Sequence, residues 1–201
     1  LSFLVFVGII GFSIARAIAT FFTNYLWFDS VDLNSVWIKI LLTKSILVAA
    51  TSLLAFAFIF INLRLAVRAT PVMDIFESFE SQDPLTRFRE FFNERFLKYR
   101  LWGAIGLSLF LGAGASQLWE QVLLFINQKS FGVADPVFQY DVSSYVFGLP
   151  LYRLFVSWGF QLVIFTSFII ILFFIATGAL QLRQGRLPEV SSGAKAHLSV
   201  L

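Results

Sequence analysis

Four long apolar runs, separated by three polar stretches, set the pattern of this chain. They cover residues 1–22, 40–63, 101–126 and 154–182. A helix crossing roughly 30 Å of hydrocarbon needs about 20 mostly apolar residues, because each residue adds about 1.5 Å. Only a helix satisfies its own backbone within one such segment. The pattern therefore predicts an all-α fold, a polytopic transmembrane helical bundle with four spans. The first run is too long for a signal-peptide core and has no convincing A-x-A site, so it reads as a retained span. Both ends of the chain fall in apolar stretches, as expected of a piece of a longer membrane protein.

The connector at 64–100 is too long for a simple turn and divides by charge. Asp74, Glu77, Glu80 and Asp83 come first, and "LTRFREFFNERFLKYR" follows Pro84. In that run Phe88, Phe91, Phe92 and Phe96 recur at helical spacing, with Arg87, Arg89 and Arg95 among them. This is the pattern of an amphipathic helix lying in the membrane surface, and a proline suits its start. "VMDIFESFE" is a second, shorter candidate. The same face equally fits a docking helix for a cytoplasmic partner, and the mixture of Phe and Arg favours anionic lipid.

Composition supports lipid as the main solvent. The chain is 58% hydrophobic and 13% charged, against about 25% charged in an ordinary soluble domain, and its mean hydropathy is +0.82. The net charge of +3 is small and its basic residues flank apolar runs, which is topology rather than a nucleic-acid stripe. Arg64, Arg68, Arg87, Arg89, Arg95, Lys98, Arg100, Arg183, Arg186 and Lys195 fall on one side of the predicted membrane. Lys39, Lys44, Lys129 and Arg153 fall on the other, ten against four. The positive-inside rule makes the ten-residue side cytoplasmic, with the amino end cytoplasmic and the segment at 127–153 facing outward. Arg16 and Lys44, inside apolar runs, read as snorkelling residues rather than an ion path, since no span interior carries an acidic partner.

Small residues supply helix packing. Ala104, Ser108, Gly112 and Ser116 stand four apart on the third span, and Gly11, Ala15 and Ala19 repeat the device on the first. Such ridges let backbones approach closely, and packing of this kind drives association in lipid. The two ridges can face each other or other membrane helices.

Candidate chemistry is sparse. There is no cysteine and His197 is the one histidine, so thiolate and His-based metal clusters are excluded. Phosphate-loop, H-E-x-x-H and G-x-S-x-G patterns do not occur. Reactive groups gather in "FGVADPVFQYDVSSYVFGLPLYR" at 131–153, where Phe131, Phe138, Tyr145 and Phe147 surround Asp135, Pro136, Asp141 and Pro150. With Glu120, the two aspartates are a conceivable site for a hard cation. Asp135 before Pro136 reads better as a turn initiator, and Asp141 as an N-cap for a short interfacial helix. The rings, with "LWF" at 26–28 and Trp119, suit the headgroup layer. No metal and no cofactor are expected.

"YLWFDSVDLNSVWIKILLTKS" at 25–45, the outer segment at 131–153 and "AKAHLSVL" at 194–201 occur in this order. Together they resemble a large uncharacterised bacterial membrane-protein family, uncharacterised protein family 0182, common in cyanobacteria and actinobacteria. The resemblance covers nearly the whole chain. It implies an amino-terminal bundle of about seven spans followed by a large extracytoplasmic domain, with residues 1–201 as roughly the first four spans. It also implies a bacterial plasma membrane, or a thylakoid membrane if the source is cyanobacterial. Two positions depart from the family pattern: Ser144 stands where an aromatic residue usually precedes the tyrosine, and Gln139 where a glycine is usual. The family brings no established activity. The expected role is a non-enzymatic anchor and packing module whose partners are the lipid bilayer and other membrane helices or subunits, not nucleic acid. In one form it is an accessory or assembly factor of a larger membrane complex. The rival expectation is a transporter or lipid-handling protein with the outer aromatic segment on its substrate path.

Overall fold

The computed structural model describes residues 2–70, 84–177, 179–181 and 189–201, with side chains from residue 4 onward except at 84–94, 96, 97, 181 and 189. Six helices follow one another in these residues: α1 (Ser2–Ser30), α2 (Asn34–Ala69), α3 (Pro84–Ala113), α4 (Trp119–Ile126), α5 (Leu149–Ala176) and α6 (Ser192–Val200). A 3-10 segment (Gly114–Leu118) joins α3 to α4, and a π turn (Ser144–Gly148) leads into α5. Leu180–Gln181 (β1) and Glu189–Val190 (β2) form a two-residue antiparallel ladder before α6. Four stretches are long and apolar enough to cross a membrane: Leu4–Ser30, Asn34–Ala69, Lys98–Ile126 and Ser144–Ala176. The fold is all-α with four span-length helices, as the hydropathy pattern predicts. The chain divides into two compact units, Leu1–Ile46 and Leu47–Leu201, and α2 runs through the division.

In the first unit α1 ends in a hydrogen-bonded reversal that its sequence encodes. Leu33 N–H donates to Phe28 O at 2.9 Å and Asp32 N–H to Asp29 O at 3.2 Å, with Asp32 at φ 56°. This is the Schellman arrangement, and aspartate is among the few side chains that tolerate its left-handed position. Asn34 Nδ2 donates to Asp29 Oδ1 at 2.5 Å across the turn. Trp37, buried, stacks on Phe28 at 5.3 Å and meets Phe21 at 5.6 Å, which ties α1 to the start of α2. Along α1 itself the apolar side chains, among them Leu4, Phe6, Phe12 and Ile18, are exposed. That is the surface expected of a helix whose solvent is hydrocarbon.

The second unit packs α2, α3 and α5 around one core. Ala55, Ile59, Leu63 and Ala66 line one face of α2 at helical spacing and meet Ala104 and Leu111 of α3 and Leu162, Ile170, Phe173 and Phe174 of α5. Gly112 of α3 lies directly on α2, so that a Cβ added there would fall 1.9 Å from Ser52 Oγ. At the passage from α3 into 3-10 geometry the regular i+4 pairing of carbonyls is interrupted. Side chains from both neighbouring helices attend the carbonyls just before it: Trp158 Nε1–H of α5 donates to Leu111 O at 3.3 Å, and the Thr51 hydroxyl of α2 reaches Gly112 O at 3.4 Å.

Three of the differences from the hydropathy reading have a clear local reason. α3 begins at Pro84, so the connector's second half and the third span are one continuous helix rather than two elements. A proline is tolerated in the first turn and nothing after it breaks the helix. The third span-length stretch is interrupted by the 3-10 segment, where Gly114, Ala115 and Ser116 are small and Ser116 Oγ bonds Ala113 O at 2.8 Å. The fourth begins at Ser144, not 154, because the π turn carries the helix up to Pro150. Leu149 N–H donates to Ser144 O, five residues back, in the turn just ahead of a residue that has no N–H. Asp74, Glu77, Glu80, Asp83, the stretch at 72–80, Arg183 and Arg186 lie outside the described residues.

At the end of this unit opposite the 127–143 loop, α6 docks against the end of α2. The Ser191 hydroxyl caps α6 by accepting from Ala194 N–H at 3.3 Å. Gly193 then lies so close to Ala69 O that a Cβ would sit 2.2 Å away. Ala194 is buried, and the His197 ring meets Phe174 edge-on at 5.9 Å.

Candidate functional site

Residues 127–148 leave α4, fold back on themselves and re-enter the helical bundle, and two carboxylates organise the path. Asp141 stands immediately before the helical residues 142–143. Its carboxylate accepts from Ser143 N–H at 2.8 Å, Phe131 N–H at 3.1 Å, Gly132 N–H at 3.0 Å and the Ser130 hydroxyl. A carboxylate offers about four lone-pair sites, so these donors saturate it. The consecutive amides of Phe131 and Gly132, with Gly132 at φ 68°, form the kind of concavity that binds anions. Here the chain fills it with its own side chain.

Asp135 starts the reversal within the loop. Its carboxylate accepts from Phe138 N–H at 2.8 Å and from the Tyr145 hydroxyl at 3.0 Å. Its backbone donates to Tyr140 O at 2.8 Å and accepts from Gln139 N–H at 2.9 Å. Ala134 and Asp141 close the base as an isolated antiparallel bridge, with Val142 N–H donating to Val133 O at 3.0 Å. The Ser130 hydroxyl, then Ser143 and the Phe131 amide, hold the Asp141 carboxyl far below the ordinary carboxylate range. Asp135 is lowered chiefly by the Phe138 amide, against the opposing effect of burial, with the Tyr145 hydroxyl adding to it. Both groups are charged at neutral pH and bound to their own loop.

Gln139 adopts φ 60° in this turn. A left-handed conformation costs an L-residue with a Cβ about 1–2 kcal/mol. Gln139→Gly is expected to stabilise the loop by up to about 1 kcal/mol, the gain being offset by the greater freedom of the unfolded chain and by loss of the Gln139 Nε2 bond to Pro136 O. Chemical denaturation of the two proteins in the same detergent measures the difference. A destabilised variant would mean that the Gln139 side chain matters more than its backbone.

The aromatic residues of the motif divide between support and surface. Phe131 and Phe147 meet at 5.8 Å, edge to face, and Phe125 meets Tyr152 at 6.1 Å. Phe138 and Tyr140 are exposed, Pro136 lies in the turn, and Pro150 occupies the first turn of α5. A cleft of about 470 Å³ is lined by Trp119, Glu120, Leu123 and Leu124 of α4, by Asn127, Gln128 and Lys129 just after it, and by Phe131 and Phe147. Among the described residues no three acidic or imidazole side chains come together, so Glu120 does not join the two aspartates in a metal cluster.

On the packing ridge, Ala104, Ser108 and Gly112 are buried and Ser116 is half-buried. Gly11, Ala15 and Ala19 lie on the exposed surface of α1, and open space surrounds Gly11. Arg95 is exposed on α3, while the side chains of Arg87, Phe88, Arg89, Phe91, Phe92 and Phe96 lie outside the described residues. Sequence reasoning missed Ser130 and Gly132 as partners of Asp141, Thr51 and Ser52 as partners of the ridge at Gly112, and Trp158 as the partner of the neighbouring Leu111 carbonyl. Gly132 had a signal, a lone glycine shortly after a helix end. The others become partners through contacts across long sequence separations.

The profile of an uncharacterised protein family, UPF0182, matches residues 1–201. A UPF0182 protein of Rhodococcus jostii (strain RHA1) is 34% identical over 181 residues, 89% of this chain and 18% of that protein. A relative from Nocardia farcinica (strain IFM 10152) is 33% identical over 180 residues, covering 90% of this chain and 18% of its own length. One from Mycobacterium tuberculosis (strain H37Rv) is 35% identical over 181 residues, with 89% and 18% covered. The chain spans 18% of the length of these curated relatives. No solved structure matches it.

Proposed function

This chain belongs to the uncharacterised protein family UPF0182, and from that premise we propose that it is the membrane-anchoring, helix-packing module of a longer, non-enzymatic protein. It works as an accessory or assembly factor of a larger membrane complex. The observation that carries this reading is how the polar groups of the loop are used. Asp135 and Asp141, the side chains best suited to chemistry in the outer segment, are bound by the loop's own amides and hydroxyls. What the chain presents outward is apolar helix surface: Leu53, Leu54 and Ile61 on α2, and Phe160, Ile164 and Phe168 on α5. Such surface suits lipid and neighbouring membrane helices. The ten-to-four excess of basic residues favours a cytoplasmic amino end and a loop at 127–143 that faces outward.

Purification of the full-length protein in mild detergent tests the assembly role. It is expected to carry a stoichiometric membrane-protein partner, and Tyr145→Ala with Phe147→Ala is expected to lower both folded yield and partner recovery. A strictly monomeric particle with nothing bound contradicts the proposal. So does a double variant that folds and assembles normally yet loses one specific activity.

A further inference from the structure

The 127–143 loop turns back through an apolar tip whose backbone donors are bound within the loop. It leaves one span-length stretch, Lys98–Ile126, and enters the next, Ser144–Ala176. The bridge between Ala134 and Asp141 closes its base. Beyond that base Val137 is 74% exposed, Phe138 67% and Tyr140 64%. The donors at the reversal are occupied. Asp135 N–H bonds Tyr140 O, Gln139 N–H bonds Asp135 O, and Phe138 N–H bonds the Asp135 carboxylate. The Val137 amide acts on the same carboxylate, and Pro136 has no N–H. Even the Gln139 side chain donates inward, to Pro136 O.

We propose that this tip is a membrane-surface anchor, with Val137, Phe138 and Tyr140 seated in the lipid of the bilayer that the adjoining helices cross. Apolar surroundings penalise every unpaired backbone donor. A reversal that binds its own donors enters lipid at little cost, whereas a loop in water gains nothing from exposing Val137 and Phe138. Tyr140 adds an amphipathic ring of the kind that collects at a membrane–water boundary. The apolar surface is also continuous. Val146, Leu149, Tyr152, Phe155 and Val156 carry it, exposed, from the end of the loop along the start of α5. A specific protein interface carries hydrogen bonds as well as apolar contacts, and here the carboxylates and these amides are already bound. The proposal takes only the bilayer location from the function proposed above, and lipid contact and partner recovery are separate readouts.

Photocrosslinking of the full-length protein in vesicles of phosphatidylethanolamine and phosphatidylglycerol tests it. Phe138 is replaced by benzoylphenylalanine, and the same probe at Phe160, exposed on α5, is the reference. Mass spectrometry of the irradiated protein is expected to find phospholipid adducts at position 138. Asp135→Ala leaves the Phe138 amide without its acceptor. It is expected to lower the yield at 138 about tenfold and to leave that at 160 unchanged. Should that variant fail to fold, the yield at 138 in the otherwise unchanged chain decides. Adducts to protein at 138, or none, overturn the proposal, as does a yield that a folded Asp135→Ala protein leaves unaffected. A protein adduct found with the partner still bound overturns the lipid contact alone and leaves the assembly role standing.

Discussion

Gly112→Ala is expected to force α2 and α3 apart. A Cβ at this position falls 1.9 Å from Ser52 Oγ, and 2.8 and 2.9 Å from the Ser52 backbone N and Cα. The hydroxyl can rotate away, but the backbone atoms move only if the helix moves. Overpacking of this kind costs about 1–3 kcal/mol, and Val at the same position has no rotamer that avoids α2. In thermal unfolding of the full-length protein in detergent, the alanine variant melts earlier and the valine variant yields little folded material. Adding Ser52→Gly to Gly112→Ala returns only part of the loss, because the two backbone contacts remain. Ser52→Ala alone is neutral or slightly stabilising, since Ser52 Oγ is buried without a hydrogen-bond partner among the described residues. Unchanged melting of both Gly112 variants would mean that α2 and α3 do not meet at this pair.

Asp141→Ala opens the 127–143 loop. The amides of Phe131 and Ser143 and the Ser130 hydroxyl lose their acceptor at once, and the Gly132 amide is left with only its second acceptor, Ser130 Oγ at 3.0 Å. Asp141→Asn does nearly as much damage, because its amide nitrogen turns a donor toward donors. Hydrogen exchange on the full-length protein reads the result as lost protection at Phe131, Gly132 and Ser143, with protection of α2 and α5 retained. The same bonds set the acid response. The folded Asp141 carboxyl lies below its unfolded value of about 3.9. Its contribution is therefore fully present above about pH 4 and is lost as pH falls through the folded value. Loop protection at pH 4 equal to that at pH 7 is the expected observation. Protection already lost at pH 5 would assign the closure to some other group.

Much of this was legible in the residues themselves, for reasons that differ from case to case. The four span-length helices follow from apolar runs whose length answers a thickness, and that constraint needs no tertiary contact. The Asp135-Pro136 turn and the position of Asp141 ahead of a helix follow from local hydrogen-bonding habits of aspartate. The ridge of Ala104, Ser108 and Gly112 could be seen as small, but nothing nearby in sequence names Ser52 as the surface it meets. The π turn that lets the fourth helix start at Ser144 hides in a stretch that hydropathy reads as too polar. The 3-10 break after Ala113 hides in one that hydropathy reads as uniformly apolar.

The sequence by itself determined the number of span-length helices and the family, because hydrophobic length and local motifs are properties of neighbouring residues. Tertiary structure alone decided how the polar groups are used. Asp141 is saturated because Ser130, Phe131 and Gly132, some ten residues back, return to it. Gly112 has no room for a side chain because Ser52, sixty residues earlier, lies against it. A carboxylate's chemistry is written in its residue type, but whether it is spent or available depends on donors brought to it from elsewhere in the chain.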